Sequence, residues 1–446
     1  MQIDLTRGGI TRPMLCFAAP MIAGNLLQQC YNIADTLIVG RALGAEALAS
    51  VGFSFTLMTF LTSVLLGLCM GSGALWSMLH GARREEELKC CLFLSFLFIG
   101  AVAVILNVGV LLLLEPVMTL LHIPAEAWDD THTYLRVVLL GICFTFLYNY
   151  FACLLRAVGN SATPLVFLAL STLLNIGLDL WFVLGLHWGV AGAAWATVLA
   201  QGLSAVCMAV YFLLRARELR PRRSNMHLDR GLLHLIFSNS VLTAVQQSIM
   251  NLGILMVQGL VNSFGFAVSA AFAAVVKIDA FAYLPVQDFG NAFSTFVAQN
   301  TGAAQPERIR RGIRSAVWVS ILFCVVSSLL VCLFAAPLMG LFVEPGETEI
   351  IAVVGVEYLR IEGMCYCGIG ILFLLYGLFR GLGRPGVSVV LTVISLGTRV
   401  ALAYLLAPIP AIGLKGIWWA VPIGWGLADL TGLFFYLRRP AGAEHT

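Results

Sequence analysis

The sequence predicts an all-α polytopic membrane protein with twelve transmembrane helices in two six-helix lobes. Three observations support this fold class. The 446 residues are 60% hydrophobic and 11% charged, whereas soluble domains average about 45–50% apolar and 25% charged residues. Apolar runs of at least the roughly 20 residues needed to span a bilayer recur along the whole chain. The second half of the chain also repeats short motifs of the first half.

The predicted spans follow one another with short polar connections. No segment shows the alternating pattern of a transmembrane β-barrel strand. The first run follows Arg7 and Arg12 as in a signal peptide, but it is longer than a signal peptide and no A-x-A site follows, so we expect an uncleaved span. The spans lie near 14–39, 47–76, 90–114, 132–155, 164–186, 190–214, 232–262, 267–298, 313–336, 352–378, 386–408 and 414–437.

Basic residues concentrate in alternate connections, which orients the chain. The connections at 122–130 and 343–349 contain no Lys or Arg. Because cytoplasmic loops carry the excess of Lys and Arg, we expect both termini in the cytoplasm and an even number of spans. Most of the 26 basic residues lie near the N-terminus or in the segments 80–89, 155–164, 215–230, 306–314, 379–386 and 438–440.

The repeated motifs occur in the same order in both halves. Because each half holds six spans, both halves enter the membrane in the same direction, as parallel repeats. We therefore predict an N-terminal lobe at 1–214, a basic cytoplasmic linker at 215–230 and a C-terminal lobe at 231–446. The paired segments are 27–40 with 245–258, 116–121 with 337–342, 154–160 with 378–384, and 189–196 with 413–420.

Two aspartates interrupt the apolar spans of the first half. An ionised carboxylate in a bilayer costs roughly 2.5–3.5 kcal/mol, so Asp35 and Asp179 need a reason to be there. Asn175 lies one helical turn before Asp179, and the next span offers Thr197. Two carboxylates, an amide and a hydroxyl suit a hard monovalent cation such as Na⁺. They equally suit a proton, because two close buried carboxylates cannot both ionise cheaply.

The second half lacks this polar set, which favours a functional interpretation. If these acids only held helices together, we would expect equivalent acids in both halves. Gln28, Tyr31 and Asp35 share one helix face, but Gln28 recurs as Gln246, so it remains only a candidate substrate contact together with Tyr31. The equivalent residues are Gly253 for Asp35, Arg399 for Asn175, Ala403 for Asp179 and Val421 for Thr197.

The second half has buried charges of its own. Lys277 and Asp279 lie two residues apart in the eighth predicted span, so they do not face each other. A structural ion pair and a substrate-binding lining both remain open for them, with Arg399 as a candidate partner. Glu362 and Asp429 are interpreted as helix-end or structural charges.

Several function classes lack their sequence signatures. None of the lysines completes a GxxxxGK[ST] phosphate loop, and no HExxH or GxSxG motif is present. The cysteines lack the paired spacing of a zinc site, and a net charge of +3 does not indicate nucleic-acid binding. We therefore expect no enzyme activity, no cofactor and no metal beyond Na⁺ at the two aspartates. Transport energy would come from an ion gradient or a partner.

The order and spacing of these motifs resemble the multidrug and toxic compound extrusion (MATE) family over nearly the whole chain. The segment 288–303 is similar to DinF- and MepA-like bacterial exporters of cationic dyes and drugs. The motifs that carry the resemblance are Pro20, Asp35-Thr36, Val39-Gly40, RAxGN at 156–160, Asn175 with Asp179, and QNTGA at 299–303.

The resemblance implies two lobes that form a V around a central cleft in the plasma membrane. It also implies alternating-access export of organic cations or drugs in exchange for H⁺ or Na⁺, by a chain expected to be a monomer. It suggests a further polar site residue at Asn149 and a first helix that bends at Pro20. Other branches carry a carboxylate on the seventh span, which is absent here, so a cation site in the C-terminal lobe is not expected.

Two alternatives remain. A flippase for lipid-linked oligosaccharides, from the same superfamily, would need several Arg or Lys residues to hold a pyrophosphate, and only Lys277 and Arg399 are available. A membrane enzyme or receptor would need a catalytic or binding constellation that the sequence does not display. The choice between H⁺ and Na⁺ stays open.

Overall fold

A computed structural model describes residues 3–121, 123–341 and 349–438. These residues form sixteen α-helices, short 3₁₀ turns and one π-helical turn, with no β-strand among them. The predicted connection at 343–349 and the tail at 438–440 lie almost entirely outside the described residues. The helices are α1 (Thr11–Leu43), α2 (Ala45–Gly81), α3 (Glu85–Leu112), α4 (Leu114–Leu120), α5 (Trp128–Leu140), α6 (Ile142–Ala157), α7 (Ala162–Asp179), α8 (Gly189–Arg215), α9 (Arg230–Asn262), α10 (Phe266–Gly302), α11 (Pro306–Leu333), α12 (Ala335–Gly340), α13 (Glu349–Gly363), α14 (Tyr366–Gly381), α15 (Pro385–Leu406) and α16 (Leu414–Leu437).

The helices confirm the predicted all-α membrane fold. Within the described ranges, nine helices are long and apolar enough to cross a bilayer, and two bent helix pairs raise the number to eleven. The 33 residues of α1, at about 1.5 Å each, also exceed the roughly 30 Å of bilayer hydrocarbon. Three polar residues, Asn25, Gln28 and Gln29, lower the hydrophobicity of α1. With α1 as a span, the number reaches the predicted twelve.

Two predicted spans are broken helices. The span predicted at 132–155 is α5 followed by α6, bent by 45° at Gly141, a residue type that helices commonly use for kinks. The span predicted at 352–378 is α13 followed by α14, bent by 52°. Because the same break occurs in both halves, α1–α8 correspond in order to α9–α16, and the short helices α4 and α12 also match.

Contacts divide the chain into two compact units. Unit 1 comprises Met1–Asp4 and Ala19–Ala244, and unit 2 comprises Leu5–Ala18 and Val245–Thr446. One division falls inside α1, beside Pro20, and the other falls inside α9. The predicted lobe limits follow the sequence repeat, whereas the units follow contacts, so those limits stay a prediction.

Each unit packs around its own aromatic core. In unit 1 the fully buried Trp76 meets Tyr150 edge to face, with ring centroids 5.0 Å apart. In unit 2 the rings of Tyr358 and Trp418 stack 4.3 Å apart, and Phe272 stacks on Tyr358 at 5.6 Å. These large buried rings fix the helices that carry the polar residues described below, because repacking them would open cavities.

The same helix crossing is built differently in the two units. In unit 2, α10 and α14 cross at Gly290 and Gly377, where a Cβ on Gly377 would collide with the Gly290 carbonyl oxygen. In unit 1, the corresponding positions of α2 and α6 are Cys69 and Cys153, both buried. The glycines therefore allow a closer backbone approach in unit 2.

Candidate functional site

Asp35 on α1 and Asp179 at the end of α7 lie together in unit 1. Their side chains are 9% and 0% exposed, and their carboxyl groups are within hydrogen-bonding reach of each other. Such a bond requires one carboxyl to carry a proton, because an ionised carboxylate only accepts. Oδ1 of each carboxyl has no hydrogen-bond partner among the described residues. The pair therefore keeps two buried oxygens without a hydrogen-bond partner among the described residues.

Two neighbouring polar side chains complete this arrangement. In the amide orientation that satisfies both neighbours, Asn175 Nδ2 donates to Asp179 Oδ2 over 2.8 Å, and Asn175 Oδ1 accepts from the Thr197 amide over 3.2 Å. The Tyr31 hydroxyl lies 3.4 Å from Thr197 Oγ1. The structure thus brings together the two aspartates with Asn175, Thr197 and Tyr31. Their roles in ion binding remain a prediction.

Three other predicted residues of the first half lie apart from this pair. Asn149 Nδ2 donates to the Thr145 carbonyl of its own helix over 2.8 Å. Gln28 is exposed. Pro20 lies inside α1, well before Asp35 along the helix. Within the described part of the chain, none of these three residues forms a hydrogen bond with either carboxyl.

The structure adds Tyr134 on α5, which sequence reasoning missed. It is 7% exposed, lies beside Thr197 and is within electrostatic range of Asp35 and Asp179. The available signal was the triplet YLR, which occurs at 134 and again at 358. A tyrosine retained in both halves indicates a shared polar position.

A wide helical turn follows Asp179 directly. Residues Leu180–Gly185 form a π-helical turn, and the Leu186 amide donates to the Trp181 carbonyl over 2.9 Å. Its second-half counterpart, α15, continues as a regular α-helix to Leu406. Single π-helical turns occur frequently at functional sites, and this one turns the chain immediately beside the carboxyl pair.

Unit 2 contains a second pair of carboxyl groups. Asp279 on α10 and Glu362 near the end of α13 are 5% and 6% exposed and are within hydrogen-bonding reach of each other. The Tyr366 hydroxyl donates to Asp279 Oδ1, and Tyr358 lies beside Glu362. Arg399 lies within electrostatic range of Asp279. The interpretation of Glu362 as a helix-end charge therefore missed its carboxyl partner.

The remaining predicted residue of unit 2 takes no part in this cluster. Lys277 is exposed, whereas Asp279 is buried, as expected for residues two positions apart on a helix. No ion pair between Lys277 and Asp279 is formed among the described residues. The structure thus places two of the three predicted unit 2 residues, Asp279 and Arg399, in one cluster and leaves Lys277 outside it.

The acids of the two units occupy non-equivalent places in the repeat. When α2 and α10 are aligned at their starts, and α5 and α13 at the triplet YLR that begins at 134 and 358, the acidic positions of unit 2 are apolar in unit 1, and only the tyrosine is common to both. The corresponding residues are Asp279 and Met58, Glu362 and Val138, and Tyr358 and Tyr134.

One cavity lies away from both carboxyl pairs. Its volume is about 610 Å³, and Gly8, Gln305 and Arg311 are among its lining residues. Beside it, Arg308 Nη2 donates to the Arg7 carbonyl oxygen over 2.9 Å. Neither aspartate of the first half contributes to this cavity.

Comparisons of the whole chain agree with this architecture. The MatE family model matches residues 20–181 and 243–405, once in each half, which confirms the duplication. The probable multidrug resistance protein YoeA of Bacillus subtilis (strain 168) is 27% identical over 439 residues, covering 97% of this chain and 94% of the relative. The probable multidrug resistance protein NorM of Thermotoga maritima is 24% identical over 419 residues, covering 92% and 88%.

Solved structures share the fold. An outward-facing multidrug resistance MATE family transporter of the MOP superfamily has a TM-score of 0.92 at 23% identity, covering 100% of this chain and 99% of the other. A MOP superfamily transporter from Pyrococcus furiosus also has a TM-score of 0.92 at 23% identity, covering 98% and 97%. The predicted two-lobe fold of twelve helices is confirmed, and the chain belongs to the MatE family.

Proposed function

We propose that this protein is a secondary antiporter that exports organic cations or drugs by alternating access in exchange for H⁺ or Na⁺. The observation that carries the proposal is the buried Asp35–Asp179 pair of unit 1, whose unpartnered oxygens provide a site for the coupling ion. Relatives named as multidrug resistance proteins along nearly the whole chain support the choice of substrate class.

The charge of the pair supplies a means of coupling. With one shared proton the pair carries one net negative charge, and no basic side chain is among the described residues that act on either carboxyl. Binding of Na⁺ or a second proton would neutralise that charge, whereas loss of both protons would leave two repelling carboxylates. A ligand shifts a conformational equilibrium only by its differential affinity for the two states. The ion must therefore bind one state of α1 and α7 more tightly.

The other predicted residues have supporting roles in this proposal. Asn175, Thr197 and Asn149 complete the proposed cation- or proton-binding site, with Asn149 contributing from α6. Pro20 removes one backbone hydrogen bond from α1 and permits it to bend. Gln28, Tyr31, Lys277, Asp279 and Arg399 remain candidates for substrate binding. The proposed setting is the plasma membrane, with both termini cytoplasmic, one chain as the working unit and no cofactor.

Efflux of a cationic dye from vesicles tests the proposal. Everted vesicles containing the full chain receive ethidium, and ΔpH and Na⁺ gradients are imposed separately. We expect accumulation with one of the two gradients and its loss in Asp35→Asn, because an amide cannot take up the ion. Glu115→Gln, which removes an exposed acid of unit 1, is the matched control and should transport normally. Full gradient-driven transport by Asp35→Asn would refute the mechanism.

A flippase for lipid-linked oligosaccharides is the second candidate. It would need clustered basic residues to hold a pyrophosphate, but Lys277 is exposed and Arg399 faces acids in unit 2. We therefore rank it below the antiporter. Dye transport that does not respond to either gradient, combined with movement of a lipid-linked sugar in the same vesicles, would reverse that ranking.

A further inference from the structure

We infer that Arg308 is a positioning residue that holds the start of α1, the helix that carries Asp35, in unit 2. Its guanidinium binds the backbone of the N-terminal arm (residues 5–9), which leads directly into α1. The inference rests on the proposed function and deepens it, because it assigns a fixed end to the helix that must respond to the coupling ion.

Arg308 lies in the first turn of α11 and donates to four carbonyl groups of the arm. Its Nε and Nη2 donate to the Leu5 oxygen over 3.2 and 3.1 Å. Nη1 donates to the Gly8 oxygen over 2.8 Å, and Nη2 also donates to the oxygens of Arg7 and Gly9 over 2.9 and 3.0 Å. A planar guanidinium with five N–H donors can serve this many acceptors, whereas an ammonium group has three donors on one atom.

Buried groups of unit 2 surround this contact. Leu5 is 0% exposed, and its carbonyl oxygen also accepts from Asn300 Nδ2 over 3.2 Å. The Arg308 guanidinium lies 5.7 Å from the centroid of the Phe296 ring, which is itself buried. Asn300 belongs to the QNTGA motif at 299–303. Binding of the arm therefore gives this motif a role that the carboxyl pair of unit 1 does not.

The backbone of the arm curls, so that its carbonyl groups converge on one side chain. Gly8 has a φ of +70°, in the left-handed region that residues with a Cβ rarely adopt. A Cβ at Gly8 would meet nothing within 4 Å. Gly8 is therefore needed for the backbone conformation of the arm and not for its packing.

The arm attaches the first turns of α1 to unit 2. Contacts assign Leu5–Ala18 to unit 2 and the remainder of the helix to unit 1. Thr11 Oγ1 lies 2.7 Å from Ser315 Oγ of α11. The division falls beside Pro20, where the missing amide permits a bend. A change in charge at Asp35 would therefore bend a helix whose start is held, instead of shifting the whole helix.

The segment that precedes α9 is held at the corresponding place of the repeat. In unit 1, Asn225 Nδ2 donates to Glu86 Oε2 over 2.7 Å, and α9 then belongs to unit 1 as far as Ala244. Glu86 and Arg308 carry opposite charges, yet they lie in the first turns of the corresponding helices α3 and α11. Two different contacts at one place in the repeat favour a shared need to fix the first helix of each half.

Hydrogen–deuterium exchange of the purified full-length protein tests the anchor without transport. Amides of residues 11–18 report on the first turns of α1. We expect Arg308→Ala and Arg308→Lys each to exchange there at least about tenfold faster, because losing a hydrogen bond to a charged group shifts a local opening equilibrium by that factor or more. Arg310→Ala, which removes only an exposed partner of Glu307, should exchange normally. Unchanged exchange in a folded Arg308→Ala protein would overturn the anchor.

A pair of glycine substitutions tests the arm while Arg308 stays intact. Gly8→Ala strains the left-handed backbone, so we expect faster exchange of residues 11–18 in the same assay. Gly9→Ala is the matched control, because its added Cβ would make only an ordinary contact with Pro13 at 3.8 Å. Equal exchange in the two variants would show that α1 does not depend on the curl of the arm, and would overturn its assigned role.

Transport and ion binding separate a positioning role from a merely structural one. We expect Arg308→Ala to lower dye efflux several-fold while its affinity for the coupling ion, measured by titration, stays unchanged, because the Asp35–Asp179 pair is intact. Loss of both properties, or efflux equal to that of Arg310→Ala, would overturn the positioning role. If neither gradient drives efflux in the unmodified protein, the proposed function falls, and the exchange measurement still decides whether Arg308 anchors α1.

Discussion

The two units use the same helices and place their acids differently. In unit 1 the carboxyl pair joins α1 to α7, through Asp35 and Asp179, whereas in unit 2 it joins α10 to α13, through Asp279 and Glu362. The tyrosine at 134 and 358 is retained beside both pairs. The fold of one lobe therefore accepts a buried acid pair in at least two locations. Each half of the chain has its pair in a different one.

The comparison also separates the presence of an acid pair from its ability to bind an external cation. Arg399 stands at the repeat position of Asn175, so one lobe has a guanidinium where the other has an amide. The amide of unit 1 donates to Asp179 without adding charge, and the pair keeps its attraction for a cation. The guanidinium of unit 2 supplies a positive charge from within the chain. The difference of one residue type thus predicts that the unit 1 pair attracts an added cation more strongly than the unit 2 pair does.

The largest expected effect comes from removing the unit 1 pair. Asp35→Asn and Asp179→Asn should each abolish gradient-driven dye efflux, and the double variant should fall no further, because interacting groups that act as one unit are not additive. Initial efflux rates in everted vesicles at matched expression provide the measurement. A double variant with much less residual transport than either single variant would show that the two acids act independently.

Transfer of the unit 2 guanidinium into unit 1 should have the next largest effect. Asn175→Arg places a positive charge beside Asp35 and Asp179, so we expect the affinity for the coupling ion to fall at least about tenfold, or roughly 1.4 kcal/mol. Asn175→Gln keeps the amide and serves as control. Ion titration of the purified variants measures the change. Unaltered affinity in a folded Asn175→Arg protein would remove the electrostatic basis of the comparison.

A smaller effect is expected at the α10–α14 crossing. Gly377→Cys installs the residue of unit 1, Cys153, where a Cβ would collide with the Gly290 carbonyl oxygen. Overpacking of this kind typically costs about 1–3 kcal/mol, so the Tm in detergent should fall. Gly397→Ala is the matched control because nothing lies within 4 Å of its added Cβ. A Gly377→Cys protein as stable as this control would show that the backbones can separate freely.

The retained tyrosine should give the smallest effect. Tyr134→Phe removes a hydroxyl beside Thr197 and Tyr358→Phe removes one beside Glu362, and a single hydrogen bond contributes about 0.5–1.5 kcal/mol. We expect Tyr134→Phe to weaken ion binding a few-fold, and Tyr358→Phe to leave Na⁺ binding unchanged. Calorimetric ion titration of both variants checks this. Equal losses of Na⁺ affinity in the two variants would contradict different ion preferences of the units.

The fold could be predicted from the sequence more completely than the sites could. The spans could be predicted because bilayer hydrocarbon demands long apolar runs with internally satisfied backbone groups. Asp35, Asp179, Asn175 and Thr197 could be identified because a polar group within such a run is conspicuous and the second half lacks it. Their placement in one cluster is a finding of the structure.

The pairing of Asp279 with Glu362 could not be predicted. Helical periodicity relates residues of one helix, whereas these acids lie on α10 and α13, and their contact depends on how those helices pack. The break at Gly141 was missed for a related reason, because a continuous apolar run reads as one span even where its helix axis changes direction. Tyr134 could not be assigned to the site for the same reason, because its polar neighbours belong to other helices.

The π-helical turn at Leu180–Gly185 affects the orientation of the side chains that directly follow Asp179. Backbone hydrogen bonds span four residues in a regular α-helix and five in a π-helical turn, so this turn accommodates one additional residue in about the same rotation. One local widening of the backbone therefore decides which way Phe182 and Val183, both buried, are directed. The number of residues in the turn, and not only their chemistry, therefore sets where these two buried side chains lie relative to Asp179.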